Sequence, residues 1–201
     1  MGKRAFDLLV SALALVLLAP LLLAIALAIR LDSRGPALFR QQRVGRHGVP
    51  FRIHKFRTMV VDAAERGPSL TVGADARITR VGRLLRTRRL DELPQLIDVL
   101  KGDMSLVGPR PELPRYVERY PEALRVRVLA VRPGLTDPAS LAFLDEAEHL
   151  ARAADPEREY VEVLLPIKLQ AAADYAERAS LGSDLRVLFG TLRRLFGPRA
   201  G

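Results

Sequence analysis

LLVSALALVLLAPLLLAIALAI, residues 8–29, holds no charged side chain over about 22 positions, and its reading decides the architecture. At about 1.5 Å per residue, a helix of that length matches the hydrocarbon core of a bilayer. The basic start Lys3-Arg4 and the small residues Ala24, Ala26 and Ala28 resemble a cleavable leader. The apolar region is too long for one, and Arg30, Arg34, Arg40, Arg43 and Arg46 follow at once. An ordinary spanning anchor should carry its basic residues mainly on one flank; here both flanks are basic. That symmetry favours a segment that dips into the bilayer and returns, with both ends on the cytoplasmic side. Pro20 lies near its middle, where the missing N–H and the ring clash predict a break between two helical halves. A spanning helix stays open as the alternative.

At 201 residues the chain suits one domain with a core plus appendages. Lys and Arg number 32 against 23 Asp and Glu, and the net charge of +9 favours phosphate-rich partners: a nucleotide substrate, anionic lipid or nucleic acid. Cysteine is absent, which excludes disulfides, thiolate metal sites and cysteine nucleophiles. With no Trp and only 5% aromatic residues, a stacking platform for unpaired bases is poorly supplied. His47, His54 and His149 lack ligand spacing and read as incidental, although His54 adjoins Lys55.

Downstream, ALFRQQRVG and PFRIHKFRTM flank the turn-rich Arg46-His47-Gly48-Val49 and predict a β-hairpin. Residues 60–79, with Gly67-Pro68 and Gly73, read as a loop with some helix. Leu93, Leu96, Ile97 and Leu100 follow helical spacing and Lys101-Gly102 supplies a stop, so 92–101 is a predicted amphipathic helix. Further helices are predicted over 116–131 and 156–179. SDLRVLFGTLRRLF, 183–196, places Leu185, Leu188, Phe189, Leu192 and Phe196 on one face with arginines largely elsewhere, as suits a helix in an anionic interface. The fold class is therefore α+β, mainly α. Its divisions are a re-entrant membrane helix over 1–33, a catalytic domain over 34–182, and a basic amphipathic helix and tail over 183–201.

The chemistry concentrates in RTRRLDELPQLIDVLKGDMSLVGPRPE, residues 86–112. Adjacent acids Asp91 and Glu92 open the predicted helix, where carboxylates meet the positive end of the helix dipole. Helix capping alone leaves the surrounding cations unexplained. Arg86, Arg88 and Arg89 precede the acids, Lys55 and Arg57 lie in the basic strand, and Arg110 stands between two prolines. Carboxylates among cations keep their charged form, in which they can attack phosphorus or hold a divalent metal. Phosphoryl transfer needs cations for the non-bridging oxygens, usually Mg²⁺, and an in-line nucleophile. Neighbouring helical residues point in different directions, so the two acids should do different jobs.

Together the proline-interrupted N-terminus, Lys55-Phe56-Arg57-Thr58-Met59, Leu90-Asp91-Glu92-Leu93-Pro94-Gln95-Leu96, Lys101-Gly102-Asp103-Met104-Ser105, Gly108-Pro109-Arg110-Pro111-Glu112 and Arg132-Pro133-Gly134-Leu135-Thr136 resemble the bacterial sugar transferases called monotopic phosphoglycosyl transferases. The resemblance runs over nearly the whole chain, and its size suggests the minimal form without extra membrane domains. It implies a Mg²⁺-dependent enzyme at the cytoplasmic face of the bacterial inner membrane, passing a sugar-1-phosphate from a UDP-sugar to undecaprenyl phosphate and releasing UMP. Asp91 matches the family nucleophile, which forms a covalent phosphosugar intermediate. Glu92 matches its partner acid, implied to help deprotonate the lipid phosphate or organise the metal; both acids are metal candidates. Lys55, Arg57, Arg86 and Arg110 match phosphate-binding positions, and no nucleic-acid partner is implied.

The chain departs from the pattern in three places. Ala19-Pro20 replaces a common Ser-Pro, Arg89 stands where a small residue is common, and Asp137-Pro138-Ala139-Ser140 differs from a Gly-Trp-containing version in some larger members. The Arg89 departure leaves open which neighbouring arginines meet phosphate. Two other readings compete. A membrane-anchored basic module binding anionic lipid or nucleic acid explains the charge but not the motif order. A glycosidase needs carboxylates flanking the scissile bond, which adjacent residues seldom provide.

Overall fold

In the computed structural model, residues 2–67, 70–137 and 146–196 are described. Residues 138–140 of the Asp137-Pro138-Ala139-Ser140 departure lie outside them. The leucine- and alanine-rich N-terminus forms one helix, α1 (Gly2–Asp32), with Pro20 inside it. The expected two-helix form is thus replaced by a continuous helical run. Pro20 removes only the hydrogen bond that its N–H would have given the Val16 carbonyl, and the turns on either side persist.

Burial of Asp7, Ser11, Ile25 and Ile29, with Ala14, Leu15, Leu22 and Ala26 partly covered, repeats every three or four residues. One face of α1 therefore packs on the rest of the chain, while Leu9, Val16, Leu23 and Leu31 are at least 72% exposed on the other. Its first half packs on the Ile53, Leu96, Val99 and Met104 cluster, and its second half on Phe56 and Leu85. This is the one helix among the described residues long and apolar enough to cross a membrane.

The predicted hairpin is present. β1 (Leu38–Val44) and β2 (Pro50–Phe56) pair antiparallel from Leu38↔Phe56 to Val44↔Pro50. His47 and Gly48 take the left-handed backbone, with φ of 59° and 78°, to close the turn. α2 (Arg80–Thr87) starts where the Thr79 hydroxyl accepts from the Gly82 amide at 3.0 Å, the usual N-cap bond. The predicted helix over 92–101 divides into a 3₁₀ run, Leu90–Gln95, and α3 (Leu96–Lys101), closed by Gly102 at φ 93°. Pro94 lacks the N–H for an α-helical bond back to Leu90, which favours the tighter winding.

Two short strands escaped the sequence reading. β3 (Ser105–Val107) and β4 (Gly134–Thr136) pair in parallel, Ser105 against Gly134 and Val107 against Thr136. The backbones cross so closely that a Cβ on Gly134 would overlap the Gly108 backbone. The crossover carries α4 (Pro114–Val117) and α5 (Glu122–Val128), so the helix predicted over 116–131 is divided before Pro121. Beyond lie α6 (Glu146–Ala151), α7 (Pro156–Glu159), a π-helical turn (Tyr160–Leu164), α8 (Leu165–Arg178) and α9 (Leu181–Phe196). The face expected on the last helix is split between core and outside. Val187 and Leu188 pack inward, whereas Phe189 and Leu192 are exposed, and the Phe196 side chain lies outside the described residues.

Candidate active site

The two acids sit on the 3₁₀ run directly after Arg89, a non-glycine residue in the left-handed region at φ 55°. That conformation costs an L-residue about 1 kcal/mol or more, and it turns the chain sharply between α2 and the acids. Both carboxylates are buried, Asp91 at 2% and Glu92 at 7% exposure. β2 lies against this run and brings Lys55 to both: its Nζ is 2.9 Å from Asp91 Oδ2 and 3.5 Å from Glu92 Oε1.

Glu92 is held on both oxygens. Arg110 Nη2 donates to Oε1 at 2.5 Å and Nη1 to Oε2 at 3.3 Å, a bidentate pair, and Arg89 Nη1 lies 3.8 Å from Oε2. Burial pushes the Glu92 carboxyl up, but Arg110, Lys55 and Arg89 together outweigh it and hold the group well below the usual carboxylate range. The Glu92 charge in turn raises Arg110 against its own burial. A carboxylate so paired is a poor proton acceptor and a good counter-ion. Asp91 differs: Oδ2 faces Lys55, while Oδ1 is buried and has no hydrogen-bond partner. One oxygen is anchored and the other lacks a hydrogen-bond partner.

Arg86 belongs to the same region. Its Nε donates to the Thr58 hydroxyl at 3.0 Å; burial lowers its pKa, and the Asp91 charge works against that fall. Arg57 does not join the acids. Its guanidinium donates to the carbonyls of Ser33 at 2.8 Å, Ile29 at 3.5 Å, and Arg34, closing the C-terminal end of α1. Adjacent strand residues leave opposite faces of the hairpin, so Lys55 and Arg57 were expected together, and the chain's turn away after Phe56 sends Arg57 to the helix end. His54, read as incidental, is structural: its amide and Nδ1 meet the fully buried Asp98 carboxylate at 2.7 and 2.5 Å and tie β2 to α3.

The two metal candidates differ in availability. Among the described residues no three His, Asp or Glu side chains converge on a metal-sized site. Both Glu92 oxygens already face cations, which leaves Asp91 Oδ1, an orphaned buried oxygen, as the available donor. That suits Mg²⁺, which keeps several waters and takes one or two carboxylates beside substrate phosphates.

Sequence reasoning missed Thr58, Asp98, Arg43, Tyr160 and the role of Glu112, all of which hold or flank these side chains. Thr58, Asp98 and Glu112 stood in quoted stretches, but their partners, like those of Arg43 and Tyr160, are set by tertiary contacts.

Comparison with known proteins finds this chain similar in sequence to bacterial sugar transferases. A model of the family described as bacterial sugar transferase matches residues 1–198. The UDP-glucose:undecaprenyl-phosphate glucose-1-phosphate transferase of Caulobacter vibrioides is 45% identical over 96% of this chain. The UDP-N-acetylgalactosamine-undecaprenyl-phosphate N-acetylgalactosaminephosphotransferase of Aeromonas hydrophila is 38% identical over 98% of it. The exopolysaccharide production protein PSS of Rhizobium leguminosarum bv. phaseoli is 39% identical over 94%. The chain spans 69%, 45% and 92% of these relatives' own lengths, respectively.

Proposed function

The chain belongs to the bacterial sugar transferase family, and from that premise we propose that it moves a sugar-1-phosphate from a UDP-sugar to undecaprenyl phosphate. The observation that carries this reading is the asymmetry of Asp91, one oxygen held by Lys55 and the other buried without a partner. Asp91 attacks the β-phosphorus of the UDP-sugar. The bond from that phosphorus to the bridging oxygen breaks, and UMP leaves with the electron pair. An oxygen of undecaprenyl phosphate then attacks the same phosphorus, and Asp91 is released as the polyprenyl diphosphate sugar forms.

Lys55 orients the nucleophile, and Arg110 and Arg86 supply charge to the phosphate oxygens as it builds up. Glu92 acts as the counter-ion that keeps Arg110 and Lys55 beside Asp91, a different task from removing a proton. Mg²⁺, held by Asp91, would supply further neutralisation of the diphosphate.

A place at the cytoplasmic face of the membrane, with both ends of α1 on that side, is supported by the way one domain grips both ends of that helix. At its start Lys3 pairs with Asp184, Arg4 donates to the Val99 and Leu100 carbonyls at 2.8 and 3.2 Å, and Asp7 accepts from Ser105 at 2.8 Å. At its end Asp32 accepts from the Val81 amide at 3.0 Å. A helix tethered in this way keeps its N-terminus on the side of the catalytic domain while its leucine-rich outer face meets lipid.

The test is UMP release from a panel of UDP-sugars by nanodisc-held protein with undecaprenyl phosphate and Mg²⁺, wild type beside Asp91→Asn. Acid-quenched protein is also assayed for label from a donor carrying ³²P at the β-position, without lipid. Lipid-dependent UMP release and protein-bound label, both lost in the variant, are expected. Release that survives Asp91→Asn would overturn the nucleophile, and folded protein that releases no UMP from any donor would overturn the reaction.

A further inference from the structure

Arg110 reaches the acids from a short irregular segment, yet that segment is fixed on every side. The Pro109 carbonyl accepts from the Gly134 amide at 2.9 Å, and the Pro111 carbonyl from Arg43 Nη1 at 3.2 Å. The Glu112 carbonyl accepts from the Val44 amide at 3.0 Å. The Glu112 side chain continues the pattern: Oε1 accepts from the Tyr160 hydroxyl at 2.7 Å, and Oε2 lies 3.7 Å from Arg43 Nη1. Arg43 Nη2 donates to Gln41 Oε1 at 2.8 Å, so the guanidinium is itself held in place. Val44, Pro109, Arg110, Glu112 and Tyr120 line a partly open pocket with room for only about 10 Å³, about enough for one water.

Tyr160 opens the π-helical turn between α7 and α8. Such turns interrupt a helix at a cost and are frequent at functional sites. Tyr160 is 2% exposed, its ring lies 4.8 Å from that of Tyr116, and Lys168 Nζ sits 5.0 Å from its centroid. A ring packed this way has no freedom to leave Glu112.

We propose that Glu112, clamped by Tyr160 and Arg43, is a positioning residue for Arg110. It fixes the Pro109-Arg110-Pro111 turn so that the guanidinium stays over the reacting phosphate when substrate draws it away from Glu92. The need for such a device follows from the site. In the free protein Arg110 is held by its bidentate pair with Glu92. A diphosphate competes for the same donors, and once it does, Glu92 can no longer define where Arg110 stands. The clamp acts on the residues that flank Arg110 and is untouched by that exchange. Through it, the helical lobe of α7 and α8 is coupled to a catalytic cation. The inference rests on the transfer reaction proposed above.

The test is a double-mutant cycle between Tyr160→Phe, which removes only the hydroxyl, and Arg110→Lys. It is read as kcat/KM for UMP release and, independently, as the Kd for UDP. Tyr160→Phe is expected to lower kcat/KM about tenfold in the wild-type background and by less than about twofold beside Arg110→Lys, because displacement of a positioned group is costly only while that group is present. Glu112→Gln, which keeps an acceptor for Tyr160 but loses the charge facing Arg43, should show the same dependence. Equal factors in both backgrounds would assign the clamp to general stability and overturn the proposal. Protein that binds UDP without releasing UMP would overturn the transfer reaction and leave the cycle in Kd to decide the clamp; protein that binds no UDP would overturn both.

Discussion

Replacing Glu92 by Gln keeps the shape of the side chain and removes a charge that faces Arg110 at 2.5 and 3.3 Å, Lys55 at 3.5 Å and Arg89 at 3.8 Å. Removing one partner from a buried ion pair costs about 3–5 kcal/mol, because the cations left behind are uncompensated. Here Lys55 keeps Asp91 at 2.9 Å, and the Arg110 and Arg89 side chains are 30% and 32% exposed, so water and Asp91 recover part of that. We expect a loss of about 2 kcal/mol at pH 7, equivalent to a fall in Tm of about 4–8 °C for a chain of this size. The sign with pH is fixed by the direction of the Glu92 shift. Its folded-state pKa lies below the ordinary 4.5, so its contribution is fully present above that value and shrinks as pH falls toward the folded pKa. The gap between wild type and Glu92→Gln should therefore hold from pH 7 to 5 and narrow steadily from pH 5 to 3. Circular dichroism melts in one detergent across that range provide the measurement. A gap that stays constant or widens in acid, or none at pH 7, would refute the counter-ion role.

Three further outcomes follow from individual contacts. Arg57→Met keeps the apolar stem but loses the donors to the Ile29, Ser33 and Arg34 carbonyls; it should cost about 2 kcal/mol in thermal stability and leave KM for the UDP-sugar within about twofold. A tenfold rise in KM at unchanged Tm would return Arg57 to the phosphate site. Gly134→Ala places a methyl against the Gly108 backbone and should cost about 1–3 kcal/mol or abolish folding, whereas Gly2→Ala, with open space around it, should leave the melt unchanged. Equal melts would refute the close crossing of β3 and β4. Because the chain has no cysteine, Gly2→Cys and Arg152→Cys each create a unique label site. Both should react with an impermeant maleimide from the same side of inverted vesicles, and opposite sidedness would refute the placement of both ends of α1 on one side.

The hairpin, the final helix and the Asp91-Glu92 centre were legible because their causes are local. Alternating strands around a glycine turn, apolar residues at helical spacing, and acids beside arginines are patterns within one window of sequence. The long apolar helix was legible in the same way, but its continuity through Pro20 was not, since the penalty of one lost hydrogen bond is decided by what packs on either half. β3 and β4 are three-residue strands paired across the α4–α5 crossover, too short for any periodicity.

By itself, then, the sequence determined the composition of the site: two adjacent acids, several cations close to them along the chain, and a long apolar helix. Tertiary structure alone decided which cation serves which group. Lys55 and Arg57 are separated by one residue, yet one faces the acids and the other closes a helix. Asp91 and Glu92 are adjacent, yet one keeps a free oxygen and the other is bound on both. Charge composition is a property of the chain, but the Coulomb energy of a pair depends on its separation and its exposure to water, and packing sets both.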